Sequence, residues 1–131
     1  MSVDPTRSKR LKRLLKVQQQ KRTLQEWRLA TLQRERSDLD QQEVEIVESL
    51  GEQSILQGLF LDTKVRALRR NTQDKTRNAE AQHTTSKRLE AERRREKQVE
   101  RAKAEAVRED AGVSAQKDLA SALDTFLSRL R

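Results

Sequence analysis

Few residues of this 131-residue chain could do chemistry, and their spacing keeps them apart. His83 is the single histidine and there is no cysteine, so no set of nitrogen and sulfur ligands is available to close a zinc site. The three glycines are scattered, and no glycine-rich loop can cradle a phosphate. The carboxylate pairs Glu43/Glu45 and Glu90/Glu92 stand two apart. On a helix that spacing turns them to different sides, away from the shared site that acid–base work needs. The residues therefore predict no enzyme, no cofactor and no metal.

The basic residues are more numerous. Net charge is +8 and the sequence pI is about 10.3, with dense runs at Lys9-Arg10, Lys12-Arg13 and Arg93-Arg94-Arg95. Such runs can contact phosphates, and an acidic protein or membrane surface would suit them as well. Stacking platforms for bases are nearly absent. Of Trp27, Phe60 and Phe126, only Trp27 borders a basic stretch. No regular zipper follows the basic region in the register of a dimeric DNA reader. Pairs such as Arg88 with Glu92 and Arg93 with Glu96 read as solvated helix faces. Nucleic-acid binding is thus a second reading.

The composition excludes an ordinary globular core. Hydrophobic residues are 33% of the chain, charged residues 38% and aromatics 2%, with a mean hydropathy of −1.03. Ala, Leu, Glu, Lys and Arg make up 71 of the 131 residues, the signature of long helices when a helical period accompanies it. High charge with low hydrophobicity also describes disorder. Seventeen leucines, many at helical spacing, against one proline and three glycines favour helix. The lack of cysteine fits a reducing compartment. No apolar run approaches the length that spans a bilayer, and the basic N-terminus lacks the apolar core of a secretory signal. The expectation is a cytoplasmic protein, peripheral to a membrane at most.

Asp4-Pro5 predicts a helix start, with Asp4 as N-cap and Pro5 in the first turn. A first helix is expected over about 5–50. Leu32, Leu39 and Ile46 are seven apart and Leu50 follows four later, an a/d seam. Val17 and Leu24 are also seven apart but one position out of phase, which predicts a phase shift. Gly51 and Gly58 bracket an expected hairpin tip, 51–58, the competing reading being one helix that tolerates both glycines. The second helix is expected over about 59–110. Its seam runs through Val65, Leu68, Thr72, Lys75, Ala79, Gln82, Ser86, Leu89, Arg93 and Glu96. A fold-back near residue 54 brings Leu50 to Leu59, Ile46 to Val65 and Leu39 to Leu68, with Leu24 and Trp27 facing Ser86 and Gln82.

Ala111-Gly112-Val113 predicts a break, with Ser114 capping a short amphipathic helix over about 114–130. Leu119, Leu123, Phe126, Leu127 and Leu130 form its apolar face, which packs either on the N-terminal Leu11/Leu14/Leu15 cluster or on another protein. Leu59, Phe60 and Leu61 spread over about 200° of helix, so at least one faces outward unless the tip loop folds over them. The expected fold class is all-α: an elongated antiparallel two-helix coiled-coil hairpin with a short C-terminal helix, in one domain.

Three features together resemble the FliJ/YscO-type stalk proteins of flagellar and injectisome type III secretion. These are the stretch Arg10-Leu11-Lys12-Arg13-Leu14-Leu15-Lys16-Val17-Gln18, the tip, and Gly58-Leu59-Phe60-Leu61-Asp62. The resemblance implies a stalk that enters the pore of a hexameric export ATPase, bridges it to the membrane export gate and handles export chaperones. It also implies gate binding by apolar residues early in the second helix, where Leu61, Val65 and Leu68 stand, with Thr72 next on that face. Polar Thr72 and the extended C-terminal face depart from that pattern. The alternatives are a basic coiled-coil scaffold or nucleic-acid-binding rod, and a coiled-coil chaperone whose tip, Leu59 to Leu61, holds unfolded clients.

Overall fold

A computed structural model of the chain describes residues 5–51, 58 and 60–130. It holds two long helices packed together, α1 (Pro5–Gly51, 47 residues) and α2 (Leu61–Arg129, 69 residues). There is no strand among the described residues. Asp4, Leu59 and the tip segment 52–57 lie outside the described residues. Pro5 opens α1, where its missing N–H costs no hydrogen bond. The Lys64 N–H donates to the Phe60 carbonyl oxygen at 3.0 Å at the start of α2, and Asp62 places an acid in the first turn.

α2 corrects the expected C-terminal architecture. It runs unbroken through Ala111, Gly112 and Val113, so there is no separate helix over 114–130. No described glycine has positive φ, which removes Gly112 from the left-handed role that ends a helix. A lone glycine costs a helix only about 1 kcal/mol, too little to break one flanked by helix formers.

The chain divides into two compact units, Thr23–Ala91 and Met1–Arg22 with Glu92–Arg131. In the Thr23–Ala91 unit the helices are antiparallel. Asn71 bonds to the Leu39 carbonyl and Asn78 to that of Leu32, so numbering rises on α2 as it falls on α1. Covered positions on α1 include Gln25, Leu29, Leu32, Arg36, Leu39, Glu43, Ile46 and Leu50, alternating steps of four and three. On α2 they include Leu68, Asn71, Lys75, Asn78, Gln82, Thr85 and Leu89 with the same alternation. Near the connection, Lys64 Nζ donates to the Ser49 carbonyl oxygen at 3.0 Å. α1 has no basic residue in its own last turn, and the ammonium from α2 satisfies that end instead.

The observed register corrects the expected seam on one of its two rows. Val65, Leu68, Lys75, Gln82, Ser86 and Leu89 are covered as expected, but Asn71 and Asn78 take the places assigned to Thr72 and Ala79, and Thr85 is buried more deeply than Ser86 beside it. Thr72 and Ala79 are exposed, and the Leu39 carbonyl accepts a hydrogen bond from Asn71. Leu24 and Trp27 are exposed too, because Gln25 occupies the covered position beside Leu24.

In the Met1–Arg22 and Glu92–Arg131 unit, covered positions include Ser8, Leu11, Leu15, Gln18 and Arg22 on α1 and Glu92, Glu96, Val99, Ala102, Lys103, Ala106, Asp110 and Val113 on α2. Gln18 donates to the Glu92 carboxylate and, at 3.0 Å, to its backbone carbonyl. Arg22 pairs with Glu96 at 2.6 Å, and Arg7 reaches Glu109 at 3.6 Å near the start of α1. Val17 is exposed, so the expected phase shift does not occur.

Candidate functional site

The carboxylates paired in the sequence are either exposed or tied to basic and amide side chains, and Lys75 holds both Asp40 and Glu43. His83 is exposed. Glu43 is bonded to Lys75, while Glu45 is exposed and accepts a 3.5 Å contact from Gln41. Glu90 is exposed and Glu92 is half-buried against Gln18. Among the described residues no three His, Cys, Asp or Glu side chains group as metal ligands, and no helix is long and apolar enough to cross a membrane.

The surfaces that can bind are apolar faces without cover. The first opens α2. Phe60 and Leu61 are 57% and 49% exposed, as the spread of three adjacent apolar residues requires of at least one of them. Leu61, Val65, Leu68 and Thr72 recur at i, i+4, i+7 and i+11. Leu61 is exposed, Val65 half-buried, and Leu68 half-buried among the residues facing α1. Thr72 is exposed and turns its hydroxyl inward, donating to the Leu68 carbonyl oxygen at 3.1 Å. A ligand would therefore reach Phe60 and Leu61 first and find the row closing toward Leu68.

The second face lies at the other end of α2. Leu119, Leu123, Phe126, Leu127 and Leu130 are 52–68% exposed, and every residue from 114 to 130 is exposed. The Leu11/Leu14/Leu15 cluster does not cover them, since Leu11 and Leu15 pack toward α2 upstream and Leu14 is exposed.

A feature the sequence reading left unassigned is a shallow groove of about 400 Å³ lined by Leu15, Glu100, Lys103, Ala104, Val107 and Arg108. Exposed Val107 beside half-buried Leu15 makes it apolar, and Lys103 and Arg108 give it a basic rim. The basic residues Lys9, Arg10, Lys12 and Arg13 on α1 and Arg93, Arg94 and Arg95 on α2 are all exposed in this unit, with Arg95 paired to Glu92 at 3.1 Å. No protein-family model, no curated protein and no solved structure matches the chain.

Proposed function

We propose that this chain is a non-catalytic coiled-coil stalk of a type III, flagellar-kind, protein export apparatus, which binds the hexameric export ATPase and couples it to the export gate. The observation that supports the reading most is the pairing of two long helices through a largely polar seam, with apolar side chains left open at the start of α2. A rod that works inside a ring needs a slender cross-section, charged faces and contacts weak enough to change during turnover. Within each unit the described residues pair as two helices. Phe60 and Leu61, with Val65 behind them, supply a small apolar handle of the kind the family resemblance assigns to gate binding.

The test is ATP hydrolysis by a cognate export ATPase with and without the chain. Saturable stimulation together with ring assembly is expected. No change at saturating concentration would sink the stalk role. The exposed basic residues on α1 and α2 would then direct attention to DNA or RNA binding, read as a steep fall in affinity across a salt series.

A further inference from the structure

The exposed apolar stripe at the end of α2 does not continue the surface that faces α1. Covered positions on α2 in this unit end at Ala106, Asp110 and Val113. Carried onward by fours and threes, that line passes through Lys117, Ala120, Asp124 and Leu127. The apolar stripe instead runs through Leu119, Leu123, Phe126 and Leu130. The two lines are one residue apart, a rotation of about 100° around the helix. A longer α1 would thus meet Lys117, Ala120, Asp124 and Leu127, and the stripe of Leu119, Leu123, Phe126 and Leu130 would stay uncovered. It is built for a different occupant.

We propose that the occupant is the same segment of a second copy of this chain, lying antiparallel. With Leu119 and Phe126 as one seam position and Leu123 and Leu130 as the other, an antiparallel overlap gives four layers: Leu119 on Leu130, Leu123 on Phe126, and their two symmetry mates. Every layer is apolar. The flanking rows pair a small residue with a larger one, Ala120 with Leu127 on one side and Ala122 with Arg129 on the other, so that in the antiparallel overlap each alanine leaves room for the larger side chain of the other copy.

Charge favours a like segment. Residues 114–130 carry Lys117 and Arg129 against Asp118 and Asp124, balanced within a chain of net charge +8. Two copies meet here without the repulsion that opposes them elsewhere. The antiparallel overlap also brings Arg129 of each copy toward Asp118 of the other, twice by symmetry.

The area is adequate for a weak dimer. The four seam side chains, each more than half exposed, offer about 100 Å² apiece and roughly 800 Å² in a symmetric pair, to which flanking Leu127 adds, an area in the range of weak, transient contacts. The expected dissociation constant is on the order of tens of micromolar. This inference rests on the α2 face alone and stands or falls separately from the stalk role.

The experiment is sedimentation equilibrium of the full chain across a concentration series, beside Leu123→Gln, which keeps a good helix former. A monomer–dimer equilibrium is expected, weakened at least tenfold by Leu123→Gln with helicity unchanged by circular dichroism. Because the chain has no cysteine, Leu123→Cys and Phe126→Cys chains give the orientation. Mixed, they are expected to cross-link with each other faster than either does with itself. A chain that stays monomeric at hundreds of micromolar overturns the proposal, and the face then goes to another protein or, if Leu123→Gln abolishes co-pelleting with anionic vesicles, to a bilayer. Preferential Leu123→Cys self-linking overturns the antiparallel arrangement.

Discussion

The Asn71 side-chain amide donates to the Leu39 carbonyl oxygen at 2.9 Å, and Asn78, seven residues on, repeats the bond to Leu32 at 2.9 Å. Both asparagines are almost fully buried, at 2% and 3% exposure. Each carbonyl lies on α1 at a leucine of the seam, so a slip of the helices by a turn would break both bonds. Asn71 also reaches the Gln42 side-chain oxygen at 3.1 Å, while its own oxygen has no hydrogen-bond partner among the described groups. Such buried amides fix register at some expense of stability.

Replacing both, Asn71→Leu with Asn78→Leu, is expected to raise unfolding free energy by about 1–2 kcal/mol while loosening register. Urea unfolding reads the first effect, and a doubled or broadened amide spectrum reads the second. A fall in stability beyond about 1 kcal/mol would mean that the amides contribute net stability rather than specificity.

Lys75 joins the helices through charge, bonding to Asp40 at 2.9 Å and to Glu43, while Arg36 pairs with Asp40 at 3.4 Å and donates to the Lys75 carbonyl oxygen. The Lys75 hydrogen bond holds Asp40 below its ordinary carboxylate value of 3.8, against partial desolvation that pushes it up. Hydrogen bonds to Glu43 and then Asp40 hold Lys75 above 10.5. The Asp40 contribution is complete above pH 3.8 and disappears as pH falls through its lower folded value. The Lys75 contribution is complete below pH 10.5 and disappears as pH rises through its higher folded value. Thermal midpoints of the natural chain minus those of Lys75→Met should therefore be flat between these limits and decline outside both. A difference that rises below pH 3.8 would contradict the sign.

Half of the packing was legible as leucine spacing, and the other half was hidden by polar residues in covered positions. On α1, Leu11, Leu32, Leu39 and Ile46 fall on one seven-residue row, and Leu15, Leu29 and Leu50 on another. The first row passes through Gln18 and Gln25, whereas apolar Val17 and Leu24 beside them suggested a shift that the structure lacks. On α2, Val99, Ala106 and Val113 are also seven apart, and carrying that row back gives Glu92, Thr85, Asn78 and Asn71. That signal was present. It loses to hydrophobicity when each residue is judged alone, because an amide that finds a backbone carbonyl can be buried at little net cost. The exposed face at Phe60 and Leu61 was legible from three adjacent apolar residues, whereas the groove beside Val107 needs both helices in place.

The same register separates leucines that look alike in sequence. Leu89 is buried and Leu24 is exposed. Leu89→Ala should cost about 2–3 kcal/mol, and Leu24→Ala should stay within about 0.5 kcal/mol. Gln25→Leu should stabilise by about 1 kcal/mol, since the Gln25 side-chain oxygen is buried without a hydrogen-bond partner among the described groups. Chemical denaturation of the three variants checks the set. Equal losses for Leu24 and Leu89 would favour a seam shifted by one residue.

Gly112 distinguishes a continuous α2 from a broken one by the sign of a single substitution. It lies inside the helix without positive φ, and a Cβ there would meet nothing within 4 Å. Gly112→Ala should therefore raise stability by about 0.5–1 kcal/mol, through lower backbone entropy in the unfolded chain and better helix propensity. If residues 111–113 instead formed a left-handed cap before a separate helix, alanine would be strained at that position and the same change would destabilise. Thermal unfolding with helicity followed by circular dichroism decides between them. A stabilised variant keeps the apolar stripe from Leu119 to Leu130 on the same rigid helix as Val99 and Ala106, which fixes its 100° offset from the α1-facing row.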